Sequence, residues 1–198
     1  MKANILHPPR SRKNDVLNFA YEPPHFAMEH TVDIKPYGRL KLRPIRITDE
    51  NRMIEFHETL SEESIYLRYF AHITLDTRTI HERLVKVCAN TADSFAIVAE
   101  RHGTGNEVTE ILGVGRLSTY DETDTAAFAV LVADEAQDTT LPRELLKRLI
   151  AIARAFRFKT LTGELLVADS DGLSVCRDLG FTLHTIPEDG IVFVSIPL

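Results

Sequence analysis

Residues 126–132, Ala-Ala-Phe-Ala-Val-Leu-Val, form an unbroken apolar run of strand length. A run without alternation predicts a strand buried on both faces, which requires a layer of structure on either side of its sheet. Shortly after it, residues 142–157 place Leu145, Leu146, Leu149, Ile150, Ala153 and Phe156 at helical spacing, with Arg143, Lys147, Arg148, Arg154 and Arg157 over much of the remaining surface. Pro142 fits only the first turn of that helix, where a missing N–H costs nothing. A buried strand feeding an amphipathic helix through a short polar turn is the unit around which the rest of the chain must be arranged.

The flanking segments supply the layers. Residues 1–36 hold five of the nine prolines (Pro8, Pro9, Pro23, Pro24 and Pro36) and no sustained period, so an irregular arm is expected there, with Phe19 and Tyr21 as possible anchors. The folded domain is expected over 37–198. Residues 39–46 alternate as a strand, with Pro44 implying an edge or a bulge. Thr48 or Asp49 caps a helix to residue 59, Ser61 caps a second through residue 70, and a third spans 76–89 with Ile80, Leu84 and Val87 on one face. Strands follow over 94–100 and 110–117, before the apolar strand and its helix. A strand over 160–167, a helix over 171–179 stopped by Gly180, and strands over 181–185 and 191–196 complete the chain. The pattern is α/β (α+β): a mixed central sheet of about seven strands with helices on both faces.

Composition narrows the functions. A chain of 198 residues suits one domain with an extension, and a net charge of −6 argues against a nucleic-acid partner. Arg10, Arg12 and Lys13 read as a solvated cluster in the arm. Cys88 and Cys176 lie far apart without a CxxC pattern, and His57, His72 and His81 make no ligand spacing, so no metal site is expected. No apolar run reaches the roughly 18 residues of a membrane helix, and the N-terminus lacks the apolar stretch of a signal peptide. With two unpaired thiols, a cytoplasmic location is expected.

Four stretches together resemble the GNAT acetyltransferases, in particular the GNAT domains of bacterial protein-lysine acetyltransferases. They are Leu42-Arg43-Pro44-Ile45-Arg46 with Asp49, followed by Leu60-Ser61-Glu62-Glu63-Ser64 and Tyr66-Leu67-Arg68-Tyr69-Phe70; Phe128 to Val132; Gln137 at the head of a loop; and Gly163-Glu164 through Leu179-Gly180-Phe181. The resemblance implies the GNAT fold over about residues 38–198 and an acyl-CoA, typically acetyl-CoA, as a partner with an amine acceptor. Backbone groups of Val130, Leu131 and Val132 would hold the pantetheine arm as an added strand does. Gln137, Thr139, Thr140, Leu141 and Arg143 would meet the pyrophosphate at the helix N-terminus, and Asp169 would sit where many members have asparagine. A homodimer through the arm or a sheet edge is compatible with this fold.

The chain departs from the family pattern at three places. The loop reads Gln137-Asp138-Thr139-Thr140-Leu141-Pro142, where members have Gly and then Gly or Ala at the fourth and sixth positions. Thr140 fills space that glycine leaves to phosphate, Pro142 supplies no N–H, and Asp138 adds a carboxylate near a dianion. Ala127 stands where the lysine acetyltransferases have a glutamate base. Cys176 stands where many other members have a tyrosine acid. Glu164 and Cys176 are the remaining candidates for proton transfer. Two functions stay open: an N-acyltransferase acting on a small-molecule amine or a protein lysine, and a GNAT-fold sensor or interaction module that does not turn over acetyl-CoA.

Overall fold

The computed structural model describes residues 29–103, 108–119, 124–186 and 188–198. Eight strands form one sheet in the order β1-β2-β3-β4-β5-β6-β8-β7. They are β1 (His30–Ile34), β2 (Gly38–Pro44), β3 (Ser94–His102), β4 (Val108–Thr119), β5 (Thr125–Val132), β6 (Thr160–Leu166), β7 (Thr182–Ile186) and β8 (Ile191–Pro197). The β5–β6 pair is parallel and every other pair is antiparallel. The mixed α/β architecture expected from the sequence is therefore the observed one, with one strand more than anticipated.

The extra strand is β1. Order was expected to begin at residue 37, after an irregular segment over 1–36, but residues 30–34 pair with β2 from His30 opposite Leu42 to Ile34 opposite Gly38. Val32 and Ile34 face the core while Thr31 and Asp33 face solvent, the alternation of an edge strand. Phe19, Tyr21 and the remainder of the arm fall outside the described residues. Pro44 is not on an edge strand. It ends β2 two residues beyond the last β1 partner, Leu42, so no neighbour on that side needs its N–H.

The helices are α1 (Glu50–Glu58), α2 (Glu62–Tyr69), α3 (Leu75–Arg78), α4 (His81–Cys88), α5 (Leu141–Ala155) and α6 (Ser170–Asp178). Ser61 caps α2 as anticipated, accepting the Ser64 N–H. The single helix expected over 76–89 is instead two, α3 and α4, broken at Thr79 and Ile80. Arg78 is the reason the break persists: its side chain is buried and its Nη1 donates to the His57 carbonyl at 3.0 Å, which pins α3 onto α1. Ile80 is then turned to solvent, and Leu84 and Cys88 form the buried face of α4.

Alternation along β4 distributes the layers. A Cβ on Gly113 would lie 2.9 Å from Leu145, and one on Gly115 would lie 3.1 Å from Leu149, so α5 rests directly against these two glycines. Arg116, on the opposite face, donates to the Val87 carbonyl of α4 and to Ser94. Helices therefore cover both faces, and the core between them includes Leu117, Leu145, Leu149 and Ile152, all fully buried.

Candidate active site

β5 and β6 pair only over Thr125–Ala127 and Thr160–Thr162, whereas β5 stays paired with β4 as far as Val132. From Phe128 onward the two parallel strands diverge, and the sheet opens into a cleft of about 2090 Å³. One side chain occupies the point of divergence. A Cβ on Gly163 would lie 2.5 Å from the Phe128 ring, so that ring rests directly over the β6 backbone, and it also meets Phe181 edge to face at 5.3 Å between centroids.

Val130, Leu131, Val132, Gln137, Thr139, Glu164, Asp169 and Cys176 all line this cleft, together with Ala127. Thr140, Leu141 and Arg143 do not line it. Leu141 is fully buried as the first residue of α5, and Arg143 pairs with Asp178 of α6 at 2.9 Å. The structure thus brings the strand edge, the start of the loop and the α6 cap together, and turns the end of the loop into the helix.

Local hydrogen bonds fix the loop. Asp134 bridges it to α2: its carboxylate accepts the Ser61 N–H at 3.0 Å and the Ser64 hydroxyl at 2.7 Å. Gln137 Nε2 donates to Ser64 Oγ at 2.7 Å and to Asp134 at 3.1 Å. The Gln137 and Thr139 N–H groups bond to the carbonyls of Asp134 and Ala136, and the Leu141 N–H bonds to Thr139 Oγ1. Among the described residues no backbone carbonyl takes the N–H of Asp138 or Thr140. Thr140 has φ −78° and ψ 0°, ordinary right-handed backbone, so threonine stands at the glycine position without conformational strain. The Asp134–Ser64 clasp was missed in the sequence, since only the folded contact of α2 with the loop reveals it.

The remaining candidates differ in exposure. Cys176 is buried, and burial, with Asp169 nearby, pushes its thiol up to about 12. It stays a protonated packing group at neutral pH. Glu164 is exposed on β6, beyond the last residue paired with β5. Asp169 caps α6 by accepting the Gly172 N–H at 2.8 Å. Burial raises its carboxyl above the usual range, against the opposing effect of that hydrogen bond. A carboxyl raised on folding contributes stability that is present at low pH and lost as pH rises through the raised value. Asp169→Asn keeps a good cap and removes the buried charge. The variant is expected to be more stable than the parent in urea at pH 8, with the difference vanishing near pH 3. A variant less stable at both pH values would contradict this account.

Among the described residues no group of three His, Cys, Asp or Glu is placed to hold a metal, and no helix is long and apolar enough to cross a membrane.

A sheet split between its fifth and sixth strands, with a loop and helix N-terminus at the mouth of the split, defines the fold of the GNAT acetyltransferases. The chain belongs to that superfamily. No family model matches it. It is similar to the GNAT domain of PAT from Streptomyces lividans, with 26% identity and a TM-score of 0.75 over 89% of this chain and 100% of that one. RimJ of Mycobacterium smegmatis, in complex with CoA-disulfide, shares the fold with 15% identity and a TM-score of 0.66 over 85% and 86% of the two chains. The same holds for a phosphinothricin acetyltransferase of Sinorhizobium meliloti in complex with acetyl-CoA, with 16% identity and a TM-score of 0.62 over 80% and 88%. A curated acetyltransferase of Pseudomonas aeruginosa is 28% identical over 81% of this chain and 85% of its own length.

Proposed function

We propose that this protein transfers an acyl group from acetyl-CoA or a related acyl-CoA to an amine. The observation that carries this reading is the open β5 edge from Phe128 to Val132, unpaired by β6 and facing the cleft. An extended amide-bearing arm fits such an edge as an additional strand. The free N–H groups of Asp138 and Thr140, at the start of α5, suit the negative charge of a pyrophosphate. Acetyl-CoA supplies the thioester. The chain orients it and takes up the proton released by the amine. Ala127 cannot accept that proton, so the exposed carboxylate of Glu164, across the opening, receives it through water.

The same alanine favours a second reading, a coenzyme-binding module without turnover. One experiment separates the two. Calorimetric titration with acetyl-CoA is run beside an assay for free thiol with a panel of amines. Binding with thiol release supports the transferase, binding alone supports the module, and no binding overturns both. Asp138 adds a refinement. A carboxylate about 5 Å from each phosphate costs about 3 kcal/mol at an effective dielectric near 20, and solvent screening at this exposed position leaves about 1 kcal/mol. Asp138→Asn is expected to tighten acetyl-CoA binding about fivefold in the same titration. An unchanged affinity would mean that this loop does not approach phosphate.

A further inference from the structure

Two arginines from two elements flank one tyrosine, and a third lines a hollow with one of them. The guanidinium of Arg68, in the last turn of α2, lies 4.9 Å from the centre of the Tyr69 ring, and that of Arg83, in α4, lies 5.3 Å from it. Arg116 of β4 lines one hollow with Arg83. Among the described residues none of the ion pairs involves Arg78, Arg83 or Arg116. Arg116 donates only to neutral oxygens, those of Ser94 and Val87, in the contacts described.

Neighbouring like charges without a carboxylate partner, as Arg83 and Arg116 are among the described residues, are costly, more so when partly buried. The chain as a whole carries a net charge of −6, so the cluster does not reflect general basicity. Glu82 and Glu63 line the neighbouring surfaces, yet neither forms an ion pair with Arg83 or Arg116 among the described residues. Guanidinium groups of this kind suit a carboxylate or a phosphate, which they bind with charge-assisted hydrogen bonds.

Position connects the cluster to the cleft. Arg68, Tyr69 and Phe70 line the main cleft, while Arg83 and Arg116 line a second hollow of about 550 Å³, linked to the first by the contact of Arg83 with the Tyr69 ring. The first turn of α2 is tied to Asp134 beside the loop. At 1.5 Å per residue, the last turn lies about 10 Å further along the helix. The arginines thus stand away from the end assigned to the pyrophosphate. We infer that they form an anion subsite, and that the acceptor amine carries a carboxylate or phosphate group which docks there.

This inference rests on the acyl-transfer reading for its role but not for its test. The full chain is titrated by calorimetry with succinate and, separately, with inorganic phosphate, as parent, Arg83→Gln and Arg83→Lys. Arg83 is partly buried and outside the core, so its replacement is compatible with folding, and acetyl-CoA affinity in the same samples reports that the cleft is intact. The expected result is an affinity for at least one anion that falls about tenfold in Arg83→Gln and is largely restored in Arg83→Lys. The anion bound more tightly identifies the acceptor's acidic group as carboxylate or phosphate. If neither anion binds the parent, or Arg83→Gln leaves both affinities unchanged, the subsite is overturned. If anion binding follows Arg83 while no amine is acetylated, the subsite stands and the acyl-transfer reading fails.

Discussion

Arg43→Leu is expected to lower the unfolding free energy by about 3–5 kcal/mol and the melting temperature by roughly 10 °C. Arg43 is 2% exposed and sits between two buried carboxylates. Its Nη1 and Nη2 donate to Asp49 at 2.7 and 2.8 Å, a paired fork, and its Nε donates to Glu100 at 2.6 Å. Asp49 also accepts the Arg46 N–H at 2.8 Å, and so starts the turn that leads into α1. Leucine restores volume but removes the buried cation that Asp49 and Glu100 share, leaving only the partly exposed Arg52, 3.4 Å from Asp49. That residual charge, not the lost pair, is the larger cost. Adding Asp49→Asn and Glu100→Gln to Arg43→Leu therefore recovers much of the loss. Urea denaturation of the three proteins checks both statements, and a loss below about 1 kcal/mol in the single variant would remove the triad from the stability of the fold.

The same cluster sets an acid limit. Burial raises the Asp49 carboxyl, but hydrogen bonds from Arg43 and the Arg46 N–H outweigh it and hold the group below the ordinary range. A carboxyl lowered on folding contributes stability that is complete above its unfolded value and lost as pH falls through the folded one. The parent thus loses this contribution in acid, below about pH 4, and Arg43→Leu has little of it to lose.

Much of this arrangement was legible before any coordinates. The β5 run, the 3.6-residue spacing over α5 and the capping serine of α2 are local signals that survive into the fold, although β5 is not buried on both faces: Ala127 to Leu131 are only partly buried because they line the cleft. Four features were not legible. β1 lies in a proline-bearing stretch, and its only reason to be a strand is the edge of β2, which no short window contains. The break between α3 and α4 depends on Arg78 reaching α1, a contact across many residues. Within the candidate site, Glu164, Cys176 and the β5 residues were named from the family resemblance, and the fold sets them along one cleft. The clasp of Asp134 with Ser64, and the arginines around Tyr69, are assembled from separate elements and have no signature in any one of them.

Gly163→Ala is expected to cost about 2 kcal/mol, because the added methyl group enters a buried contact of β6. The added Cβ would stand 2.5 Å from Cε1 of Phe128 and 2.7 Å from its Cζ, inside contact distance. The ring cannot simply turn away, because Phe181 meets it edge to face on the other side. Phe128 is the first β5 residue beyond the last β6 pair, so the ring and the missing side chain are complementary at the point where the strands part. Displacing the ring changes the mouth of the cleft as well as the packing. Coenzyme affinity is therefore expected to fall with stability. A second substitution tests the cause. In a Phe128→Leu background the smaller side chain leaves room for the methyl group, and Gly163→Ala should then cost well under 1 kcal/mol. Equal costs in the two backgrounds, measured by urea denaturation, would show that the ring does not hold the strands apart and that the opening of the sheet has its origin elsewhere in β5 or β6.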